Sequence, residues 1–240
     1  MKIHRFFVPG GLIPSASELP KTVTILDEEL FHQWKNVLRL KPNEWVVLCD
    51  GKGTDASATI IGFGKKSVEV SIESLTKNES EPSRHVTLYC AALKRENFEL
   101  VVQKAVEVGV SEIVPLITHR TIKTHLKRER LEKIAKEAAE QSGRGIVPIV
   151  HEECSFKDTL ETENEGESRY FFDFGGKDFS LAKSGSSSAQ NISLYIGPEG
   201  GWDEQEHDAA KKAGMNIVSL GSRVLRGETA AIVATFLATR

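Results

Sequence analysis

A glycine-rich turn at 197–201, with the sequence GPEGG, is the first stretch of the chain whose residues could bind a ligand. A phosphate site at a helix N-terminus uses backbone N–H groups and usually a lysine, and this turn has neither P-loop nor G-x-G-x-x-G spacing. Pro198 removes one N–H donor, and Glu199 places a negative charge where an anion would lie. The turn therefore favours a neutral or cationic ligand over a phosphate. A tight turn without a ligand is the alternative for these residues alone.

A second polar stretch, LGSRVLRGETA at 220–230, contains Arg223, Arg226 and Glu228. Each of the two stretches directly follows an apolar run, ISLYIG or NIVSLG, that is typical of a strand. Ligands of parallel α/β sheets lie at the carboxyl ends of strands, so both stretches could contribute to one site. A structural alternative exists for both arginines, which could pair with Glu199 or Glu228.

The elements that position these stretches belong to two regions with different sequence patterns. Residues 1–72 contain short apolar runs and one helical insert, FHQWKNVLRL, a pattern typical of a small β-barrel. Residues 73–84 are polar and without periodicity, which indicates a linker. Residues 85–240 alternate strand-like and helix-like segments, which predicts an α/β domain with a mostly parallel sheet. Asp203 and Glu206 have the spacing of a capping box for the helix that follows the turn.

Composition excludes several classes of protein. The net charge of -3 gives no global sign of a nucleic-acid binder, so any basic surface is local. One candidate is the stretch 118–144, with eight Lys and Arg against four Glu. The three cysteines are widely separated and the histidines form no metal-binding pair, so we expect free buried thiols in a reducing compartment and no metal site. The apolar run at 6–8 is too short for a signal peptide or a membrane span, and we expect a cytoplasmic protein.

The last segment, ETAAIVATFLATR, is apolar almost all round. A helix of this kind must be buried on nearly every side, which predicts a homodimer. A terminal helix covered by its own sheet is the alternative. The segment SGSSSAQ at 184–190 is expected to be a flexible surface loop.

Five segments in one order resemble the RsmE family of SPOUT-class, S-adenosylmethionine-dependent RNA methyltransferases. They are HRFFV, NFELVVQKAVEVGVSEIVPL, KIAKEAAEQSGRGIVP, YIGPEGGWDEQE and LGSRVLRGETAA, which together span essentially the whole chain. Trp202 stands where the family commonly has Phe, so the packing under the turn is expected to differ.

The resemblance implies an N-terminal PUA-like β-barrel that helps to grip RNA and a C-terminal SPOUT α/β domain with a trefoil knot. It implies a homodimer that binds S-adenosylmethionine in the knot and methylates N3 of one uridine in small-subunit (16S) ribosomal RNA, near the decoding site. The turn at 197–201 suits this cofactor, because glycines let the backbone approach an adenine closely and Glu199 is compatible with a sulfonium.

The resemblance also assigns site residues. The expected cofactor-binding residues are Ile196, Gly197, Pro198, Glu199, Gly200, Gly201, Leu220, Gly221, Arg223, Leu225, Arg226, Thr229 and Ala230. For catalysis, Arg226 is expected to stabilise the anion that develops on the base, with Glu228 or Glu199 orienting it. The expected RNA-binding residues are His4, Arg5, Arg39, Lys94, Lys104, Arg120, Gln141 and Arg144.

Three other functions are compatible with parts of this pattern. A SPOUT methyltransferase could act on another RNA position or on tRNA. A non-catalytic RNA-binding assembly factor could retain the fold, although the intact GPEGG and RGETA segments speak against it. A dinucleotide-dependent oxidoreductase would need a G-x-G-x-x-G motif after a strand, which the sequence lacks.

Overall fold

A computed structural model of the chain describes residues 4–122, 126–161, 166–179 and 190–240. The chain divides into two compact units. The first comprises residues up to Glu81 together with 139–147, and the second comprises 82–138 and 148–240.

The first unit contains a five-stranded sheet in the order β1-β3-β4-β5-β2. Its strands are β1 (His4–Phe7), β2 (Lys21–Ile25), β3 (Trp45–Cys49), β4 (Thr54–Phe63) and β5 (Val68–Lys77). The pair β1–β3 is parallel and the other pairs are antiparallel. In β5, Val68, Val70 and Ile72 are fully buried while Glu69 and Glu73 are exposed, so the side-chain alternation of a strand accounts for the apolar core of this unit.

A short helix, α1 (Glu28–His32), follows β2 and continues as one π-helical turn to Val37. The sequence FHQWKNVLRL predicts this helix at 31–40. The structure begins it at Glu28 because the Asp27 carboxylate accepts the N–H of Leu30 at 2.9 Å and caps it. It ends before Arg39, which has a φ of 55° that helical backbone does not allow.

The segment 139–147 is fixed in the first unit by Glu81. The guanidinium of Arg144, only 5% exposed, lies 2.6 Å from Glu81 Oε2. The other Glu81 oxygen accepts the backbone N–H groups of Gly145 and Ile146 at 3.0 and 3.1 Å. One carboxylate therefore orders both a buried charge and the backbone beside it.

The second unit contains a seven-stranded sheet in which every pair is parallel, as the alternation of segments predicts. The strand order is β12-β10-β11-β6-β7-β8, and β9 also pairs with β7. The strands are β6 (His85–Ala91), β7 (Glu112–Ile117), β8 (Ile149–Val150), β9 (Cys154–Ser155), β10 (Glu167–Asp178), β11 (Asn191–Ile196) and β12 (Asn216–Ser219). The central strands β6 and β11 are almost continuously buried, which explains why their sequences are mainly apolar and do not alternate.

The longer helices are α2 (Arg95–Glu107), α3 (Arg128–Ser142), α4 (Glu204–Lys212) and α5 (Gly227–Ala238). Gly109, with a φ of 102°, follows the end of α2 as the sequence predicts. The capping box of α4 is confirmed: Asp203 Oδ1 accepts from Gln205 N and Glu206 Oε2 accepts from Asp203 N, both at 3.0 Å.

Several predicted boundaries differ from the structure. Strand β5 runs to Lys77, into the segment expected to be a linker, because its pairing with β4 continues through Thr54. Strand β10 extends to Asp178, past the run RYFFDF at 169–174 that predicts it. The segment SGSSSAQ lies, apart from its last residue, outside the described residues. The domain division 1–72, 73–84 and 85–240 stays a prediction.

The cysteines are free thiols: Cys49 and Cys90 are buried, whereas Cys154 is half-buried. Among the residues that the structure describes, no group of three His, Cys, Asp or Glu side chains is placed to hold a metal ion. None of the helices in these residues has the length and apolar character needed to cross a membrane.

Candidate active site

A cavity of about 970 Å³ opens at the carboxyl ends of β6, β10, β11 and β12. Both polar stretches singled out in the sequence line it, so the parallel sheet brings them to one edge as expected. The lining residues are Ala92, Lys94, Arg95, Asn97, Arg120, Ile122, Phe172, Asp173, Phe174, Ile196, Gly197, Pro198, Glu199, Gly200, Gly201, Trp202, Ser219, Leu220, Gly221, Arg223, Val224, Leu225, Arg226, Gly227, Glu228 and Ala230.

The turn at 197–201 is closed by its own backbone and packed against an indole. Gly201, with a φ of 71°, donates its N–H to the Pro198 carbonyl at 2.9 Å. A Cβ at Gly197 would lie 2.8 Å from Trp202 Nε1, so only glycine fits at that position. The glycines therefore allow a tight turn in which three of the five residues have no side chain.

Trp202 fixes the turn to the sheet by a hydrogen bond and by aromatic packing. Its Nε1 donates to the Phe172 carbonyl at 2.9 Å, and its ring stacks on Phe171 with centroids 4.3 Å apart. The Phe156 ring packs on the same indole at 5.1 Å. A tryptophan at this position thus supplies a hydrogen bond to β10 that a phenylalanine could not make.

Arg120, which follows β7, also contacts the turn at 197–201. Its Nη1 donates to the Gly200 carbonyl at 2.8 Å, and its Nη2 lies 3.9 Å from Asp203 Oδ2. The neighbouring His119 N–H is accepted by Glu206 Oε1 at 2.9 Å. These contacts join the loop after β7 to the turn and to the first turn of α4.

Glu228 is the most buried acidic group of the cavity. It lies in the first turn of α5, where the helix dipole favours a carboxylate, and its side chain is 10% exposed. Its Oε1 lies 3.9 Å from Nη1 of Arg226, whose side chain is 84% exposed. Its Oε2 is buried and has no hydrogen-bond partner among the described residues. A buried acceptor without a donor is costly, so this oxygen is suited to a ligand that brings one.

The floor of the cavity is apolar and closely packed. Gly227 lies against Leu93, where a Cβ would be 3.0 Å from Leu93 Cδ2 and 3.6 Å from the Gly197 carbonyl oxygen. Burial raises the pKa of the Cys90 thiol beyond its usual range, and the nearby carboxylates of Glu199 and Glu228 raise it further. Cys90 is therefore an inert thiol and not a nucleophile.

Of the thirteen expected cofactor residues, twelve line the cavity and Thr229 does not. Thr229 is exposed on α5, because the helical rotation that turns Glu228 inward turns the next residue away. Glu199 is exposed, and among the described residues it forms no ion pair with Arg223 or Arg226. The ion pair of Arg226 with Glu228 agrees with the structural alternative considered for this arginine.

The expected RNA-binding residues are divided between the two units. Lys94 and Arg120 line the cavity, and Lys104 pairs with Glu107 at 2.8 Å on α2. In the first unit, Arg39 and Gln141 are exposed and His4 is half-buried. Arg5 and Arg144 are instead engaged internally, with Asp55 at 2.8 Å and Glu81 at 2.6 Å. For Arg144 the structure is at odds with RNA contact, because its buried guanidinium is already paired.

Comparison with known proteins agrees with this geometry. The family model described as RNA methyltransferase domain matches residues 79–239, and the model described as RNA methyltransferase PUA domain matches 26–73. Ribosomal RNA small subunit methyltransferase E of Rickettsia conorii is 31% identical over 98% of the chain and 94% of its own length. The chain belongs to the RsmE family.

Solved structures of methyltransferases share the fold over nearly the whole chain. The RsmE of Neisseria gonorrhoeae, solved bound to S-adenosyl methionine, has a TM-score of 0.88 and 31% identity, covering 98% of this chain and 95% of its own. A methyltransferase of Legionella pneumophila in complex with the same cofactor has a TM-score of 0.85 and 28% identity, covering 98% and 96%.

Several residues that line the cavity are not among the site residues expected from the resemblance to the RsmE family. Arg95, Asn97 and Ile122 follow β6 and β7, and the segment 172–174 belongs to β10. The rule that ligand sites lie at the carboxyl ends of parallel strands could have indicated all of them, because each follows or ends such a strand.

Proposed function

We propose that this RsmE family member transfers the methyl group of S-adenosylmethionine to N3 of a uridine in small-subunit (16S) ribosomal RNA, near the decoding site. The observation that carries the proposal is the cavity in which the glycine turn, Arg226 and the unpartnered Glu228 oxygen meet. The relatives support the cofactor and the substrate class, since two solved neighbours contain S-adenosylmethionine and the curated relatives act on small-subunit ribosomal RNA by name.

The residues present fit this cofactor. Gly197, Gly200 and Gly201 leave backbone groups uncovered beside the apolar Ile196 and Leu225, which suits a flat adenine. Glu199 adds negative charge to the same cavity, which suits a sulfonium and an ammonium. The bound cofactor supplies a methyl group activated by the positive charge on sulfur.

The chemistry left to the protein is the N3 proton of uridine. As the new N–CH₃ bond forms, this proton must leave the base, and negative charge develops over O2 and O4. We assign the Glu228 carboxylate as the acceptor of the proton, because Glu228 lines the cavity and its Oε2 has no hydrogen-bond partner among the described residues. Arg226, oriented by Glu228 Oε1 at 3.9 Å, stabilises the charge on the base.

Methyl transfer to small ribosomal subunits that lack the modification tests this function. With methyl-labelled S-adenosylmethionine, the RNA digested to nucleosides should contain label in N3-methyluridine. Label in another nucleoside would instead indicate a different RNA position, and wild-type protein that binds no cofactor would favour a non-catalytic RNA-binding factor.

The assigned roles predict distinct variants. Glu228→Gln should lower kcat by about 10²- to 10⁴-fold, the usual contribution of a general base. Arg226→Ala should lower kcat by about 10²- to 10³-fold, as for loss of one oxyanion donor. Both should bind S-adenosylmethionine within a few-fold of wild type, measured by calorimetry. Lys212→Ala, an exposed cation at the end of α4, is the control. Near-normal turnover of Arg226→Ala with normal cofactor affinity would show that the assignment of Arg226 is wrong.

RNA contact by His4, Arg39, Lys94, Lys104 and Gln141 is part of the proposal, with Arg120 and Arg5 as residues that also have internal partners. The PUA-like domain, proposed to span 1–72, contributes to grip on RNA. Phosphate contacts release counterions, so binding should weaken as salt increases, and removal of one contacting cation should lower the slope of log K against log salt by about 0.7–0.9.

We further propose that the protein is a cytoplasmic homodimer with a trefoil knot in the SPOUT domain. Support comes from α5, where Ile232 and Val233 remain half-buried and Phe236 exposed on an apolar helix. A partner that covers this face would bury them. Sedimentation should give a dimer for the wild type and a monomer for Phe236→Asp, and a wild-type monomer would contradict the proposal.

A further inference from the structure

Strand β10 carries a bulge that the reaction described above does not use. Phe172 and Lys177 both pair with Val218 of β12, so the four residues between them leave the ladder. Gly175 adopts a φ of 87°, and a Cβ at Gly176 would lie 2.6 Å from the backbone of Val218. Ser219 Oγ donates to the Gly176 carbonyl at 3.1 Å and fixes the end of the bulge.

The bulge presents an aromatic side chain to solvent at the cavity. Phe174 lines the cavity and is 69% exposed, whereas Phe171 and Phe172 of the same strand are buried. Among the described residues no ring or cation packs on Phe174. β-Bulges beside active sites commonly change the direction of one side chain. Here Gly175 and Gly176 allow the backbone to leave the regular ladder, so that Phe174 lies at the cavity.

The charged side chains around Phe174 indicate which kind of molecule could pack against its ring. The cavity is lined by five cationic and three acidic side chains, although the chain as a whole has a net charge of -3. Lys94 and Arg223 are exposed and form no ion pair within the described residues. A second copy of the chain would bring the same cations against themselves in an isologous contact, whereas a nucleotide brings a phosphate and a flat base.

We propose that Phe174 is the platform on which the base of the target uridine stacks after it is turned out of the RNA. The inference rests on the proposed function and adds a positioning residue to it. The phenyl ring fixes the plane of the uracil beside Glu228 and Arg226, and the rim cations hold its phosphates.

Four variants test the platform with the full chain, labelled S-adenosylmethionine and unmethylated small ribosomal subunits. Phe174→Ala should lower kcat/KM for the subunits by about 5- to 150-fold, the effect of about 1–3 kcal/mol per stacked base. Phe174→Tyr should restore it and Phe174→Leu should not, because leucine keeps the apolar surface and lacks the ring. Ile149→Ala, an exposed apolar residue of β8 outside the cavity, should leave it unchanged. Affinity for S-adenosylmethionine should be the same in all four.

Other results would overturn the platform. Phe174→Ala with wild-type kcat/KM, or Phe174→Leu as active as wild type, excludes stacking. Loss of the dimer in Phe174→Ala, measured by sedimentation, assigns the aromatic to a subunit interface, and an equal loss of cofactor affinity assigns it to the cofactor wall. If the wild type transfers no methyl group, the proposed function fails, and the stacking is decided by photocross-linking. A single-stranded RNA with one 5-iodouridine should then cross-link to peptide 170–177 in the wild type and not in Phe174→Ala; no cross-link to this peptide overturns the inference.

Discussion

Gly197→Ala tests whether the turn at 197–201 depends on its fit against Trp202. A Cβ at position 197 would lie 2.8 Å from Trp202 Nε1 and 2.9 Å from Cε2, well inside van der Waals contact. Gly197 is not among the glycines with positive φ, so the substitution acts through this overlap and not through backbone strain.

The cost follows from the contacts that the indole would lose. To make room, Trp202 must move from the Phe172 carbonyl that accepts its Nε1 proton at 2.9 Å. A buried polar group left without its partner costs about 1–3 kcal/mol, and an overpacked core costs about 1–3 kcal/mol. Because both terms describe one displacement, we expect the free energy of unfolding of the second unit to fall by about 2–4 kcal/mol.

Urea denaturation followed by tryptophan fluorescence and circular dichroism measures this change. Trp202 is the tryptophan of the second unit, whereas Trp34 and Trp45 lie in the first. Gly200→Ala in the same turn is the control, because its Cβ would lie 3.5 Å from Arg120 Cδ, an ordinary contact. We expect it to change the free energy of unfolding by less than about 0.5 kcal/mol.

Two results would refute the reasoning. If Gly197→Ala unfolds like the wild type, the turn shifts freely over the indole and its glycine is not required by packing. If Gly200→Ala destabilises the protein equally, the overlap with Trp202 is not the cause. Calorimetry with S-adenosylmethionine should show weaker binding for Gly197→Ala, because a displaced turn moves the cavity wall.

Two further predictions concern ion pairs. The Arg130 guanidinium lowers the pKa of Glu99 to about 2, so its stabilisation is complete above the unfolded pKa of about 4.3 and is lost as the pH falls towards 2. Glu99→Gln should remove on the order of 1 kcal/mol of this acid dependence, since Arg130 is half-exposed, and an unchanged profile of urea unfolding between pH 4.5 and 2 would contradict the pairing. Glu81→Gln should destabilise the first unit by about 3–5 kcal/mol because buried Arg144 loses its carboxylate, whereas Glu79→Gln at an exposed position should be neutral in the same denaturation assay.

Local sequence determined the order and type of most elements. The alternation at 68–73 gives a strand with one buried face, and the mainly apolar sequences of β6 and β11 give strands buried on both faces. The capping box of α4 needs only Asp203 and Glu206, three residues apart. These features depend on neighbours within one turn or one strand, so their spacing in the sequence is enough to predict them.

Sequence motifs also determined the family and nearly all of the cavity residues that follow β11 and β12. Ligand sites of parallel sheets lie at the carboxyl ends of the strands. Residues that directly follow two such strands are therefore expected to lie together even when the strand order is unknown. Thr229 is exposed and outside the cavity lining because α5 begins at Gly227, and that starting point sets which residue of its first turn faces inward.

Only the tertiary structure decided how the charged and aromatic residues are used. The stretch 118–144 is basic in sequence, yet Arg130 pairs with Glu99 and Arg144 with Glu81, each from another part of the chain. Phe174 ends the run RYFFDF, which predicts a strand, and the bulge opposite Val218 leaves its side chain exposed to solvent. The chemical type of a side chain limits which contacts it can make. Its actual partner depends on segments that are distant in sequence and meet only when the sheet is assembled.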